Sequence, residues 1–468
     1  MQQVRFQHAE TALTWLVALS FCLICSVPAG TIVTYLLYDS GLIDAKSWFY
    51  VLDGSIIAAL LLFLGLYILG LKLVAKTGLT PGKTAKFIFL IIMALGLVWL
   101  INDPPRAGFR YDWSDLPFAA ERQEPAYDIL YTHFGPDHAV GDIDFSVVDF
   151  NKALKQPQEH EAEILALWEK SAPVREIITR LNSFNRIPDL SGAETALDID
   201  LMPFISTLKV YRLYADLMME KGHPEEAARP LAQLYVMIRK ILPYSRFVIH
   251  KVVWGALAGR SLSIAVDLAR HPSSDPETLT ILKESFTPLT MDEISYEAAY
   301  ISEYFFIKHR ADQYDYSRAF GELVRPCPEN PPAWNQFLFN LIGPVAFHRN
   351  RTLNVVTEKF NHLVAGTRTH PPDLSGARTI DHEIELRNIG GQMLLLSSFF
   401  DLTDYPDNMS KIKAQSDLLA LYLHARLGEN IDIKDYYSGK NYLETDEPGL
   451  FFSAGPDGLP ETSDDIRL

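Results

Sequence analysis

VYRLYADLMMEKGHPEEAARPLAQLYVMIRKIL, residues 210–242, places apolar side chains at three- and four-residue intervals on both sides of Gly222-His223. That spacing lines one face of an α-helix. The stretch therefore predicts two helices, 203–221 and 224–242, folded back on each other. Ala215, Gly222, Ala227 and Ala228 fall where two antiparallel helices must approach closely. Pro224 suits the first turn of the second helix, because its missing N–H has no partner to lose there. The fold class that follows is mainly α.

Helical periodicity spreads outward in both directions. Residues 161–170 and 174–184 form an earlier pair, and 249–270, 276–285, 291–320, 332–341, 345–364, 380–400 and 409–427 follow. Residues 203–242 resemble a tetratricopeptide-type helix pair, although a 34-residue period does not continue along the chain. A generic αα-hairpin carries the same local pattern. PDLSGA occurs twice, at 188–193 and 372–377, followed one residue later by Thr195 and Thr379. Its Asp and Ser can accept from helix-start amides and its Gly permits a turn, so the two copies read as equivalent loop-to-helix starts.

Three long apolar stretches, 11–38, 48–74 and 87–101, crowd the first hundred residues. A membrane-crossing helix needs roughly 20 apolar residues. The first two exceed that length, and the third reaches it when 84–102 is counted. Lys72, at the end of the second stretch, and Lys76, Lys83 and Lys86 make up the link to the third, whereas Asp39, Asp44 and Lys46 lie between the first and second. Basic loops stay cytoplasmic, so the amino terminus is expected inside and everything after Asn102 outside. The first stretch is longer than the 7–15 apolar residues of a cleaved signal peptide and reads as a retained span. Cys22 and Cys25 lie within it and read as packed thiols. Cys327 is alone in the outer part, so no disulfide within one chain is expected there.

The expected organisation is a three-helix membrane anchor (1–102), a juxtamembrane mixed segment (103–151), a helical domain (152–430) and a β-hairpin with an Asp-rich loop (431–468). After position 102 the chain holds 36 basic and 54 acidic residues. Such a balance repels phosphate backbones, so no nucleic-acid partner is expected.

Polar groupings in the helical part are sparse. Asp381-His382-Glu383, with Glu385, gathers carboxylates and an imidazole at a helix start, where the helix dipole also favours acids. Asp198 and Asp200 form a similar local group. Glu293, Glu297 and His309 are expected along one long helix, 291–320, whose Tyr296, Tyr300, Tyr304 and Phe305 read as core. No H-E-x-x-H and no G-x-S-x-G occurs. Residues 78–84 approach a phosphate-loop pattern but are one residue short and lie between two expected spans.

The last 34 residues, DYYSGKNYLETDEPGLFFSAGPDGLPETSDDIRL, leave the helical pattern. Residues 441–444 and 450–453 read as two strands around a turn. Beyond them Gly455, Pro456 and Gly458 permit tight backbone geometry, and Asp457, Asp464 and Asp465 supply charge. Calcium takes six to eight oxygens from carboxylates and turn carbonyls, which such a loop can present. These residues resemble the carboxyl-terminal hairpin and calcium loop of type II secretion major pseudopilins. The resemblance implies Asp457, Asp464 and Asp465 as calcium ligands, with carbonyls near Leu459 and Ser463 as additions. It covers only this terminus: the family's single anchor helix and cleavage signal are absent, and Pro460 and Glu461 stand in its usually Gly-rich spacing. In outline the whole chain is similar to envelope membrane proteins of planctomycete-like bacteria, which implies an architecture and no reaction.

The expectation from sequence is thus an integral protein of a bacterial inner membrane. Its outer helical domain binds an envelope protein partner or acts as a scaffold, with a calcium-stabilised terminus. The alternative is an envelope hydrolase using Asp381, His382 and Glu383.

Overall fold

The computed structural model describes residues 105–112, 116, 125–135, 143–145, 148–188, 199–313, 348–378, 402–447 and 449–468. The three apolar stretches, the cysteines, Asp198, the helices expected at 332–341 and 380–400, and the first PDLSGA copy beyond Pro188 lie outside these residues.

The chain is mainly helical, with a short antiparallel sheet at its C-terminal end. Helices run α1 (Pro125–Phe134), α2 (Phe150–Lys155), α3 (Glu161–Lys170), α4 (Ala172–Leu181), α5 (Met202–Lys221), α6 (Pro224–Ile241), α7 (Val248–Arg270) and α8 (Pro276–Ser285). They continue with α9 (Met291–Ile294), α10 (Glu297–Gln313), α11 (Arg349–Thr367), α12 (Ser375–Arg378) and α13 (Asp404–Arg426). Strands β1 (Leu443–Glu444), β2 (Phe451–Ser453) and β3 (Ile466–Arg467) pair in the order β1-β2-β3.

The Cα trace divides into two compact units. The smaller comprises 1–108, 310–358 and 381–400; within it Asn354 accepts from Ala107 N at 2.6 Å and donates to Pro105 O at 3.0 Å. The larger comprises 109–309, 359–380 and 401–468 and holds everything described below.

The hairpin expected at 203–242 is present as α5 and α6. Gly222, at φ 78°, ends α5, with His223 N bonded to Met218 O and Gly222 N to Met219 O. This is a Schellman stop, which requires a left-handed residue. Inside, Trp168 of α3 stacks on Tyr214 of α5 with ring centres 3.8 Å apart, and the Arg175 guanidinium lies 3.9 Å from the same indole. Tyr235 of α6 stacks on Phe286 at 4.2 Å.

Helix α7 is, among the described residues, the one long and apolar enough to cross a membrane. It packs against α5, α6, α8 and α13, as a core helix does. Gly255 and Gly259 face α13: a Cβ on Gly255 would sit 2.5 Å from Met409 Sδ, and one on Gly259 3.2 Å from Ile412 Cγ1. Two glycines four residues apart thus let the helices approach.

The single helix expected at 291–320 is broken. Thr290 and Glu293 form a reciprocal capping box that starts the one-turn α9, and Ser295 turns extended at ψ 133°. Its hydroxyl then accepts from Glu297 N at 3.2 Å and begins α10. Polar side chains satisfying helix-start amides outcompete the apolar period here. The tyrosines nonetheless face inward, with Tyr296, Tyr300 and Tyr304 all buried. In the second PDLSGA copy, Asp373 accepts from Ser375 N at 3.1 Å, and Leu374 and Ala377 are buried. A Cβ on Gly366 would strike the Asp373 carbonyl.

The terminus carries one strand more than expected. β1 and β2 form the expected hairpin, and β3 adds along β2 through the pairs Phe452↔Arg467 and Ser453↔Ile466. The sheet closes on α13 through Ala414, Leu418, Leu421, Tyr442 and Ile466.

Candidate functional site

The acidic terminal loop is held to the helical body by a chain of buried polar contacts. Asp417 of α13, its side chain fully buried, accepts two bonds from Lys413 Nζ at 2.5 and 2.6 Å and one from the Tyr442 hydroxyl at 2.9 Å. Burial pushes the Asp417 carboxyl up, and the neighbouring ammonium opposes that shift. Burial, followed by the Asp417 charge, pushes the Tyr442 phenol up as well. Asp435 accepts from the hydroxyls of Ser438 and Ser453, both at 2.8 Å. Ser453 Oγ in turn accepts from Gly455 N at 3.2 Å, so the last residue of β2 fixes the first turn of the loop.

Gly455 has φ 66°, and a Cβ there would meet the Asp464 carbonyl and lie 2.8 Å from Asp464 Oδ2. Only glycine permits both the backbone and this approach. Asp464 Oδ1 accepts from Thr462 Oγ1 at 2.6 Å and Oδ2 from Asp457 N at 3.1 Å. The Thr462 hydroxyl, then the Asp457 amide, hold the Asp464 carboxyl below its ordinary value. Asp457 Oδ1 accepts from Leu459 N at 2.8 Å. Asp465 Oδ2 accepts from Glu461 N at 3.0 Å and from the Arg467 guanidinium at 2.8 Å. Its Oδ1 has no donor, although the side chain is only 4 % exposed. Glu461 itself sits at φ 67°.

The structure brings Asp464 against the Asp457 backbone and buries Asp465, but it does not gather the three carboxylates into one cluster. Among the described residues the grouping of three ligand atoms within 4.8 Å of one another is His223, Glu225 and Glu226. Those groups crown the first turn of α6, where the dipole stabilises acids without any ion, and Glu226 also accepts from the Tyr214 hydroxyl at 3.3 Å.

Asp381, His382, Glu383 and Glu385 lie outside the described residues. Asp200 accepts from Met202 N at 2.9 Å and so serves the start of α5. Glu293, Glu297 and His309 do not share one helix: Glu293 is on α9, and Glu297 pairs with Arg368 at the start of α10.

Two buried charge groups were not anticipated from sequence. Glu293 receives Arg239 Nε at 2.6 Å and a second guanidinium nitrogen at 3.0 Å. Beside it Lys251 of α7, fully buried, donates to Leu242 O at 2.5 Å and Glu293 O at 2.7 Å. Burial pulls the Lys251 amine down to about 7. A lone lysine within the apolar run VIHKVVWGALAG, 248–259, was its only trace in the sequence. Asp216 of α5 shares Arg212 with Asp267 of α7, and burial raises its carboxyl to about 6. Both groups join the ends or faces of neighbouring helices. The cleft lined by Ser295, Tyr296, Thr367, His370, Ser410 and Tyr436 has room for about one water molecule at its base.

Lys251 gives a pH dependence of definite sign. Its folded value lies below the ordinary 10.5, so between about 7 and 10.5 the unfolded chain binds more protons, and stability from this group rises with pH. Denaturant titrations at pH 7 and 9 should show wild type gaining more than Lys251→Met; equal changes would contradict the assignment.

No family model, curated protein or solved structure matches this chain, so its functional reading rests on the geometry above.

Proposed function

We propose that the chain is a membrane-anchored helical scaffold of a bacterial envelope. Three amino-terminal spans hold it in the inner membrane, and a tetratricopeptide-like helical body outside presents surface to an envelope protein partner. Its terminal loop is closed by calcium. The membrane placement is supported by the three apolar stretches and by the excess of lysines around the link between the second and third. The scaffold reading is supported by the roles of the buried charges, which tie helices to one another and the sheet to α13.

The single observation that carries the calcium reading is the buried, donorless Asp465 Oδ1 in a loop already rich in carboxylates. A buried carboxylate oxygen without a donor is costly, and a hard cation satisfies it. Gly455, where any Cβ would strike Asp464, lets that carboxylate lie against the loop backbone. Asp457, Asp464 and Asp465 would hold the ion, with loop carbonyls completing its shell, once a rearrangement of the loop draws the three carboxylates together.

Calcium at a hundredfold excess over its Kd stabilises a folded protein by roughly 3 kcal/mol. The full chain in detergent should therefore melt higher in calcium than in chelator, and Asp464→Ala should abolish the rise. Identical melting in both conditions would sink the calcium reading.

A further inference from the structure

Asp465 is bound asymmetrically. One oxygen, Oδ2, takes both the Glu461 amide and the Arg467 guanidinium, while Oδ1 is bare inside a side chain only 4 % exposed. The guanidinium is placed by the sheet: Arg467 is the β3 residue opposite Phe452 of β2, and its charged end lies 5.0 Å from the Phe452 ring centre. Arg467 is itself more than half exposed, so it reaches Asp465 from the solvent side.

We propose that Arg467 is the built-in counter-ion of this loop and sets its affinity for a divalent cation, holding Asp465 Oδ2 while Oδ1 is left for the metal. The inference rests on the calcium reading above. A carboxylate can carry a guanidinium on one oxygen and a metal on the other, because each oxygen has its own lone pairs. Without metal, Arg467 and the Glu461 amide hold Asp465 Oδ2 in place. With metal, the same guanidinium repels the ion. The three proposed ligands carry a charge of −3, and Arg467 offsets one unit of it. Affinity of oxygen sites for calcium rises with the negative charge of the ligand set, so the guanidinium weakens binding. A unit charge roughly 5 Å from a divalent ion in a water-like medium changes binding on the order of tenfold.

A residue that only supports the fold would lower stability and calcium affinity together when removed. Arg467 should move them in opposite directions. The test is calorimetric calcium titration of the full chain in detergent, paired with melting in chelator. Wild type, Arg467→Gln and Arg467→Lys are compared. Arg467→Gln should bind calcium about tenfold more tightly at low salt yet melt lower in chelator, and the affinity gain should shrink as salt is raised. Arg467→Lys keeps the charge and should stay near wild-type affinity. Arg467→Met, which retains the stem over Phe452, gives the same reading if Arg467→Gln fails to fold. Calcium binding in wild type that is unchanged or weaker in Arg467→Gln overturns the role of Arg467 and leaves the calcium loop standing. Absence of binding in every protein overturns the calcium reading and this inference with it. Binding that appears only in the neutral variants supports Arg467 as the group that blocks the ion.

Discussion

Glu293→Ala should destabilise the larger unit by about 3–5 kcal/mol, the usual cost of stripping one partner from a buried ion pair. Glu293 is 8 % exposed and Arg239 17 %, so neither charge is well hydrated once the other is gone. The carboxylate does three things at once. It receives two guanidinium nitrogens, closes the capping box through Thr290 N at 2.5 Å, and so keeps α9 beside the end of α6. The Thr287 and Pro288 carbonyls would hold the abandoned guanidinium, at 3.2 Å each, without neutralising it. Lys251 would keep its bond to the residue 293 carbonyl only as long as α9 stays folded. Urea unfolding of the full chain measures the loss. Glu293→Gln, which preserves part of the hydrogen bonding, should cost less than Glu293→Ala. A loss below 1 kcal/mol would mean that water reaches this pair.

Asp417→Ala should cost a similar amount, about 3–5 kcal/mol, but with a different footprint. The carboxylate neutralises Lys413, 12 % exposed, and accepts from the buried Tyr442 hydroxyl. Tyr442 also belongs to the apolar cluster with Ala414, Leu418, Leu421 and Ile466 that docks the sheet on α13. Its loss therefore loosens the sheet first. Amide hydrogen exchange in 443–467 should accelerate more than exchange in α5 or α6, because local opening is governed by local contacts. Tyr442→Phe removes one bond and leaves the ion pair, so a smaller and similarly localised change is expected. Uniform acceleration across the larger unit would show that the sheet and the helices open together.

Some helices were legible in the sequence almost to their limits, whereas α13 begins at Asp404, five residues before the expected 409, and α11 runs Arg349–Thr367 in place of 345–364. Residues 161–170 and 276–285 begin and end as their periodicity indicates, and the 203–221 helix starts one residue earlier. The break at Ser295 was hidden because it depends on hydroxyl and carboxylate caps, which leave the apolar rhythm of the tyrosines intact. β3 was hidden for a different reason. A strand of two residues, Ile466 and Arg467, carries no alternation to read, and its place is set by pairing with β2. At the loop, the acids and glycines were readable, while the feature that distinguishes them, a donorless oxygen on Asp465, exists only after folding. The buried lysine and the Arg239–Glu293 pair join residues 42 to 54 positions apart, beyond the reach of local pattern.

The proposal stands or falls on which side of the membrane this body lies. Alkaline phosphatase, active only outside the cytoplasm, and green fluorescent protein, fluorescent only when it folds inside, should be fused in turn after Leu468 of the full chain. The account predicts phosphatase activity with no fluorescence. Fluorescence without phosphatase activity would place the helical body in the cytoplasm and contradict it.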